Sequence, residues 1–210
     1  MTTSLEWLKT VAIDGRTYVC PTPAQMGNLY LRMAASVSDA EKKFDRLVAI
    51  VPGGQGATEA LADLLGVRHI STLGARLIGE ENKVQITRKL TDDVYRESVL
   101  AVGDVVDPIV LDAVSELLLT RKARSVYTAV VCDNHGSRVV ADFRGFWTDE
   151  DKVIFPHTRG EFVRGVYGMW QKRCSVEEIG QRFESLGIDE RQVALIMEGV
   201  MPGGRLPTLS

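Results

Sequence analysis

The sequence predicts a single α/β domain built on a mostly parallel sheet flanked by helices, and three observations carry that prediction. Short apolar runs recur, Leu47-Val48-Ala49-Ile50-Val51, Val99-Leu100-Ala101-Val102 and residues 125–131, and such runs suit strands buried on both faces. The segments between them place apolar residues at helical spacing. Two of the runs end in loops rich in glycine or acid, Pro52-Gly53-Gly54 and Gly103-Asp104-Val105-Val106-Asp107. In open α/β sheets ligands sit at such carboxyl ends.

Taken in order, residues 21–37 predict a helix, with Pro21 and Pro23 in its first turn and Met26, Leu29, Tyr30 and Met33 recurring at helical spacing. The strand at 47–51 runs through Pro52-Gly53-Gly54 into a helix at 58–65, whose stripe is Ala60, Leu61, Leu64 and Leu65 and whose C-cap is Gly66. Residues 67–77 alternate as a strand, and 79–93, polar and of mixed charge, read as an exposed hairpin or mobile loop. The strand at 99–102 leads through the acidic loop to a helix at 109–120 with Val110, Val114, Leu117 and Leu118 on one face. Strands follow at 125–131, 139–146 and 153–155. Strands alternating with helices imply right-handed crossovers. Ser175-Val176-Glu177-Glu178 is a capping box that opens a helix to about Leu186; Gly187 ends it, and Asp189 caps another to about Gly199. The tail after Pro202 reads as loose.

The bulk numbers bound the function. A chain of 210 residues, 45% hydrophobic, supports one sizeable core. A net charge of −3 gives no electrostatic case for nucleic acid or anionic membrane over the whole surface. No apolar run approaches the roughly 20 residues of a membrane span, and the first residues lack the basic-then-apolar pattern of a secretory signal. Three scattered cysteines, Cys20, Cys132 and Cys174, argue against a disulfide framework and a structural zinc site. The cytoplasm is the expected location.

Asp104 and Asp107 are the sharpest chemical feature. Two carboxylates three apart at a strand end can bind Mg²⁺ through water, accept from ribose hydroxyls, or act as a base. Equally, Asp107 can form the turn before Pro108 and Asp104 can cap a helix. Gly53-Gly54-Gln55-Gly56 can bring backbone N–H groups up to a phosphate, or form a tight turn and nothing more. His69, His135 and His157 have no metal-ligand spacing, and Cys132 reads as a small buried hydrophobe. Trp147, Phe155 and Trp170 can stack on a base or belong to a core. Arg159, Arg164, Lys172 and Arg173, interleaved with Phe162, Tyr167 and Trp170, can receive phosphates or RNA, or form a solvated rim or subunit interface. Residues 175–200 carry six acids and two bases, which favours protein contact over DNA for the last two helices.

The order of these pieces resembles the type I phosphoribosyltransferases, most closely the xanthine–guanine branch. The strand 47–51 with its diglycine, a helix, and Leu65-Gly66-Val67-Arg68-His69-Ile70 match one half. Residues 99–107 stand where the family has its 5-phosphoribosyl 1-pyrophosphate signature, and Lys152-Val153-Ile154-Phe155-Pro156-His157 resembles the end of the hood over the purine. The resemblance spans about residues 21–158. It implies a phosphoribosyltransferase-like parallel sheet with a small hood over residues 1–160 and a C-terminal helical appendage over 161–210. It implies transfer of phosphoribosyl to a purine-type base with Mg²⁺ and release of pyrophosphate. On this reading Asp104 holds the ribose hydroxyls and the metal, and Asp107 is the general base. Gly53 and Gly54 line the pyrophosphate loop, and Gln55, Trp147, Lys152 and Phe155 join the ligand-binding set, with Trp147 a nearby substitute for the aromatic that stacks on the base. Several family positions differ. The first acid is Gly103, and the Thr-Gly-x-Thr phosphate loop is Pro108-Ile109-Val110-Leu111. The basic residue before the diglycine is Pro52, the purine-reading lysine is Cys132, and the stacking aromatic of the hood is Lys152.

Three readings stand on this sequence: a transferase acting on a nucleobase or nucleotide; a catalytically silent member of the same fold that binds a nucleotide or serves as a partner subunit; and, behind both, a nucleic-acid binder. Assembly as a homo-dimer or hetero-oligomer is expected through the hood or the C-terminal helices.

Overall fold

The computed structural model describes residues 7–79, 83–134 and 141–198. The expectations for the first residues, for His135, for the start of the strand at 139–146 and for the tail after Pro202 lie outside them. The elements in order are β1 (Thr10–Ile13), β2 (Arg16–Val19), α1 (Pro23–Asp39), β3 (Arg46–Val51), α2 (Gln55–Leu65), β4 (His69–Ile78), β5 (Lys83–Arg88), β6 (Ser98–Gly103), α3 (Pro108–Thr120), β7 (Ser125–Asn134), β8 (Phe143–Thr148), β9 (Lys152–Val153), α4 (Arg159–Trp170), α5 (Val176–Ser185) and α6 (Glu190–Glu198). They form two compact units, one from residues 26–149 and one from both chain ends, up to residue 25 and from 150 onward.

The larger unit is the α/β layer that the sequence predicts. Its six strands lie in the order β5-β4-β3-β6-β7-β8. All neighbours are parallel except β4 and β5, so the mixed-charge segment after Gly79 contributes an antiparallel edge strand. β6 is buried at every position, as a central parallel strand with helices on both faces must be. Alternation sorts its side chains. Val99 and Ala101 join Val48, Ile50 and the α3 residues Val110, Leu111, Val114 and Leu118 in one core cluster, while α2 packs against β3 and β6. α1 opens with a capping box the sequence reading passed over: Gln25 N donates to Thr22 Oγ1 at 3.3 Å and Thr22 N to Gln25 Oε1 at 2.7 Å. α2 ends as expected, with Gly66 left-handed at φ 69°.

At the amino ends of the strands a polar network ties the sheet together. Arg46 donates to Glu97 from Nε at 2.6 Å and from Nη2 at 3.1 Å, and to Ser71 at 2.9 Å; Ser71 donates in turn to Asp92 at 2.6 Å.

The smaller unit joins β1 and β2, an antiparallel pair, to β9, which runs parallel to β2. Its helices share one core with these strands: Tyr18, Ile154, Phe162, Tyr167, Trp170, Ile179 and Phe183 are all buried in a single cluster. Helices α5 and α6 therefore do not stand apart from the strands. α4 is an element the sequence reading missed. The aromatics Phe162, Tyr167 and Trp170 are its buried stripe, with Trp170 only 3% exposed, so they offer no stacking faces to RNA. The capping box at Ser175 is present, Ser175 N donating to Glu178 and Glu178 N to Ser175.

Candidate functional site

The candidate residues of the larger unit converge because β3 and β6 are hydrogen-bonded neighbours in register, Ala49 opposite Val102. The loops that follow them therefore leave the sheet side by side. Gly53 has φ 107°, a backbone state that disfavours a side chain, and the Asp104 Oδ2 lies 2.9 Å from where its Cβ would stand. Gly54 is buried against β6. A Cβ there would overlap the Val102 carbonyl oxygen and lie 2.7 Å from that of Ile50. The diglycine is thus a close-packing requirement as well as a turn. Gln55 begins α2 and donates from its side chain to Glu59 at 2.9 Å.

Asp104 is buried, 6% exposed, at the end of β6, and its carbonyl accepts from Cys132 N of β7 at 2.8 Å. Beside it stands a residue the sequence reading assigned to the core. Tyr30 of α1 is half-buried, and its hydroxyl lies 3.6 Å from where a Cβ on Gly56 would be. Burial first, and then the negative charge of Asp104, push its pKa up to about 12. The helical spacing that marked Tyr30 as apolar stripe is real; its phenolic end reaches past the stripe to the start of α2.

Asp107 occupies a different position. Exposed and extended, it is the N-cap of α3: its Oδ1 accepts from Ile109 N at 2.9 Å, and its carbonyl accepts from Val110 N at 2.9 Å and Leu111 N at 3.0 Å. Pro108, at the first helical position, has no N–H. The capping role weighed for Asp104 falls to Asp107.

Trp147 is half-buried on β8, in register with Asp133 of β7. Cys132 is buried, and desolvation pushes its thiol up, with Asp133 adding to the shift. Lys152 and Phe155 belong to the smaller unit. The Lys152 ammonium lies 5.5 Å from the centroid of the Phe162 ring, and the Phe155 ring is buried and stacked on His157 at 5.6 Å. Trp170, the other candidate for stacking, packs against Phe183 at 5.0 Å.

The residues do not fit a protein-held Mg²⁺. Asp104 supplies one carboxylate, and Asp107 is engaged as a cap. At the neighbouring position Gly103 a side chain would run into the Val106 methyl. No three metal-ligating side chains gather among the described residues, and no helix among them is long and apolar enough to cross a membrane.

No protein-family model matches the chain, and no curated protein matches it in sequence. Solved structures do match in shape. A purine phosphoribosyltransferase from Pyrococcus horikoshii aligns with TM-score 0.59 at 22% identity, covering 66% of this chain and 91% of its own. A hypoxanthine phosphoribosyltransferase from Staphylococcus aureus gives 0.53 at 20%, over 60% of this chain and 74% of its own. A hypothetical protein from Neisseria gonorrhoeae, solved with bound ppGpp, gives 0.54 at 19%, over 67% and 88%. With a parallel sheet whose central strands deliver a diglycine turn and Asp104 to one place, the chain has the fold of the purine phosphoribosyltransferases.

Proposed function

We propose that this protein is a phosphoribosyltransferase-fold protein that handles a purine-type nucleobase moiety and does not transfer phosphoribosyl from 5-phosphoribosyl 1-pyrophosphate. The resemblance to the xanthine–guanine branch and the purine enzymes among its structural neighbours support the ligand class. One observation carries the loss of transfer. A helix begins with backbone N–H groups that lack intrahelical partners, and these are what bind a phosphate. At the start of α3, where the resemblance places the 5′-phosphate, Pro108 has no N–H, Ile109 N is taken by the Asp107 side chain, and Val110 N by the Asp107 carbonyl. The hydroxyls of the family's loop are absent as well. A phosphate without donors loses several kcal/mol, of order 2–7 for a single unpaired polar group.

The chemistry left to the chain's own residues is binding. Asp104 presents a buried acceptor beside the diglycine, suited to hydroxyl or amino donors of a ligand. Asp107, holding Ile109 N, is committed to its helix.

Isothermal titration with phosphoribosyl pyrophosphate plus Mg²⁺, paired with a chromatographic transfer assay on guanine, xanthine, hypoxanthine and adenine, tests this reading. It expects donor binding weaker than millimolar and no nucleotide product. Product formation abolished by Asp104→Asn would establish the competing reading, an active transferase, which the retention of Asp104 against Gly53 favours.

A further inference from the structure

The smaller unit holds a cleft of about 380 Å³ between the end of β1 and one stripe of α5. Ala12 and Ile13 form its strand side. Glu178, Gln181, Arg182 and Ser185, at i, i+3, i+4 and i+7, form its helix side. Asp14, in the turn after β1, ties the two together. Its carboxylate accepts from Arg182 Nη1 at 2.6 Å and from Nη2 at 2.9 Å. The same guanidinium lies 5.2 Å from the centroid of the Trp170 ring, so this end of the cleft is held in one geometry.

The strand side has an open edge. In the order β1-β2-β9, no other strand among the described residues pairs with β1 on its outer side. The register decides which groups face that way. Cys20 N donates to the Lys9 carbonyl at 3.0 Å, and Val11 stands opposite Tyr18 and Ile13 opposite Arg16. Antiparallel ladders bond at alternate residues, so Val11 and Ile13 bond to β2, and the N–H and C=O of Thr10 and Ala12 point outward. Both residues are exposed. The helix side is acidic. Glu178 lines the cleft, and Glu177 and Glu184, both exposed, lie on the adjoining face of α5. Asp14 is balanced by Arg182, so these glutamates set the sign of the local field. The bases of the hairpin act elsewhere, Arg16 on the Asp151 carboxyl and Lys9 on the Cys20 thiol.

We infer that this cleft is a peptide site: an extended segment of another protein, with lysine or arginine at alternate positions, adds as a strand to the open edge of β1 and turns its basic side chains toward α5. Main-chain bonds to Thr10 and Ala12 seat the segment, and the glutamates give the preference for basic sequence. A strand sends alternate side chains to one face, which is why the basic residues alternate. The cleft has the size of a small-ligand pocket, enough for the side chains of a peptide and too small for a folded partner. The inference concerns the smaller unit alone and does not depend on the nucleobase reading.

The test is fluorescence anisotropy of the full chain with a labelled hexapeptide of alternating lysine and valine at low ionic strength. The comparison peptides are the same sequence N-methylated at alternate amides, in each of the two phases, and a hexapeptide of alternating glutamate and valine. The comparison proteins are Ala12→Pro and the double variant Glu177→Gln, Glu178→Gln. Proline is tolerated on an edge strand where its N–H would face solvent, so Ala12→Pro removes an outward donor and leaves the ladder to β2. Glutamine serves at N3 of a capping box as glutamate does, so Glu178→Gln keeps the cap at Ser175. The lysine peptide should bind with a Kd below about millimolar. It should weaken about fivefold or more in Ala12→Pro and about threefold or more in the glutamine variant. One phase of N-methylation, and the exchange of lysine for glutamate, should each weaken binding about tenfold or more. Absence of binding by the lysine peptide overturns the inference, as does binding that Ala12→Pro, or N-methylation in both phases, leaves unchanged. A glutamate peptide that binds as well as the lysine peptide overturns the charge preference. Self-association of the free chain that Ala12→Pro abolishes assigns the edge to a second copy and overturns the peptide as its occupant. Where circular dichroism shows Ala12→Pro unfolded, the methylated peptides decide the question on the wild-type chain.

Discussion

The Asp104 carboxylate rests on Gly53, its Oδ2 2.9 Å from the point where a side chain would begin, so the end of β6 and the turn after β3 are fitted to each other through one glycine.

Replacing that glycine is expected to cost stability in a graded way. Gly53→Ala forces a Cβ onto φ 107° and against a carboxylate that can swing aside, a cost of about 1–3 kcal/mol. Gly54→Ala drives a Cβ into two backbone carbonyls, those of Val102 and Ile50, that cannot move without shifting β3 and β6. Its cost is about 3 kcal/mol or more. Urea denaturation should place Gly54→Ala below Gly53→Ala in midpoint, and the reverse order would contradict the packing described.

At α3, Asp107→Ala removes the cap on Ile109 N and should destabilise by about 1 kcal/mol, whereas Asp107→Asn should stay within a few tenths. Thermal melts of the two variants separate a capping role from a charge role.

Tyr30 gives a pH dependence. Its pKa in the folded protein is about 12 against an ordinary 10.0. Between those values the folded chain holds a proton that the unfolded chain has lost. The stability it contributes is therefore complete below pH 10 and falls as pH rises toward 12. Ultraviolet titration of tyrosinate absorbance should show this late-ionising group disappear in Tyr30→Phe. In Asp104→Asn it should move downward, because one of the two causes of its shift is gone.

Arg46 is the anchor of the network below the sheet, with its side chain 12% exposed and that of Glu97 24% exposed. Arg46→Met strands Glu97 and removes the donor to Ser71, at an expected cost of about 2 kcal/mol. A second change, Glu97→Gln, should recover part of that loss in chemical denaturation.

The three thiols should react in a fixed order. Burial raises Cys20 to about 11 and pushes Cys132 up as well, while Cys174 is half-buried. A maleimide at pH 8 should label Cys174 first, and the other two only as the protein unfolds.

The larger unit was legible because its strands are apolar at every position and its turns carry glycine or acid. The runs at 47–51 and 99–102 became β3 and β6 within a residue at each end. β1 and β2 were not legible. Thr10–Ile13 and Arg16–Val19 are four residues each, and apolar runs as short as Val11-Ala12-Ile13 and Tyr18-Val19 do not announce strands. α4 was misread for a different reason. Its arginines drew attention to charge, while Phe162, Val163, Tyr167 and Trp170 recur at helical spacing, and that periodicity was the stronger signal. In the candidate site, Asp104 and the diglycine could be foreseen because a parallel sheet puts successive loops on one edge. Tyr30 could not, since a tyrosine in an apolar stripe gives no sign that its hydroxyl reaches another helix. The cap at Asp107 follows from Pro108: a proline at the first helical position leaves Ile109 as the first amide for the aspartate to cap.

The smaller unit is discontinuous in sequence, with the whole of the larger one lying between its two parts. Tyr18 of β2 pairs with Lys152 of β9, and Ile154 N donates to the carbonyl of Val19 at 2.9 Å. During synthesis, every strand of the six-stranded layer, the last ending at Thr148, is translated before the strand at Lys152–Val153 that completes the three-stranded one. The opening hairpin must wait, partnerless, through the translation of more than a hundred residues, and at roughly 5–20 residues per second that wait lasts many seconds. A released chain truncated near position 150 should accordingly protect its α/β layer from protease while residues 7–25 are still cut.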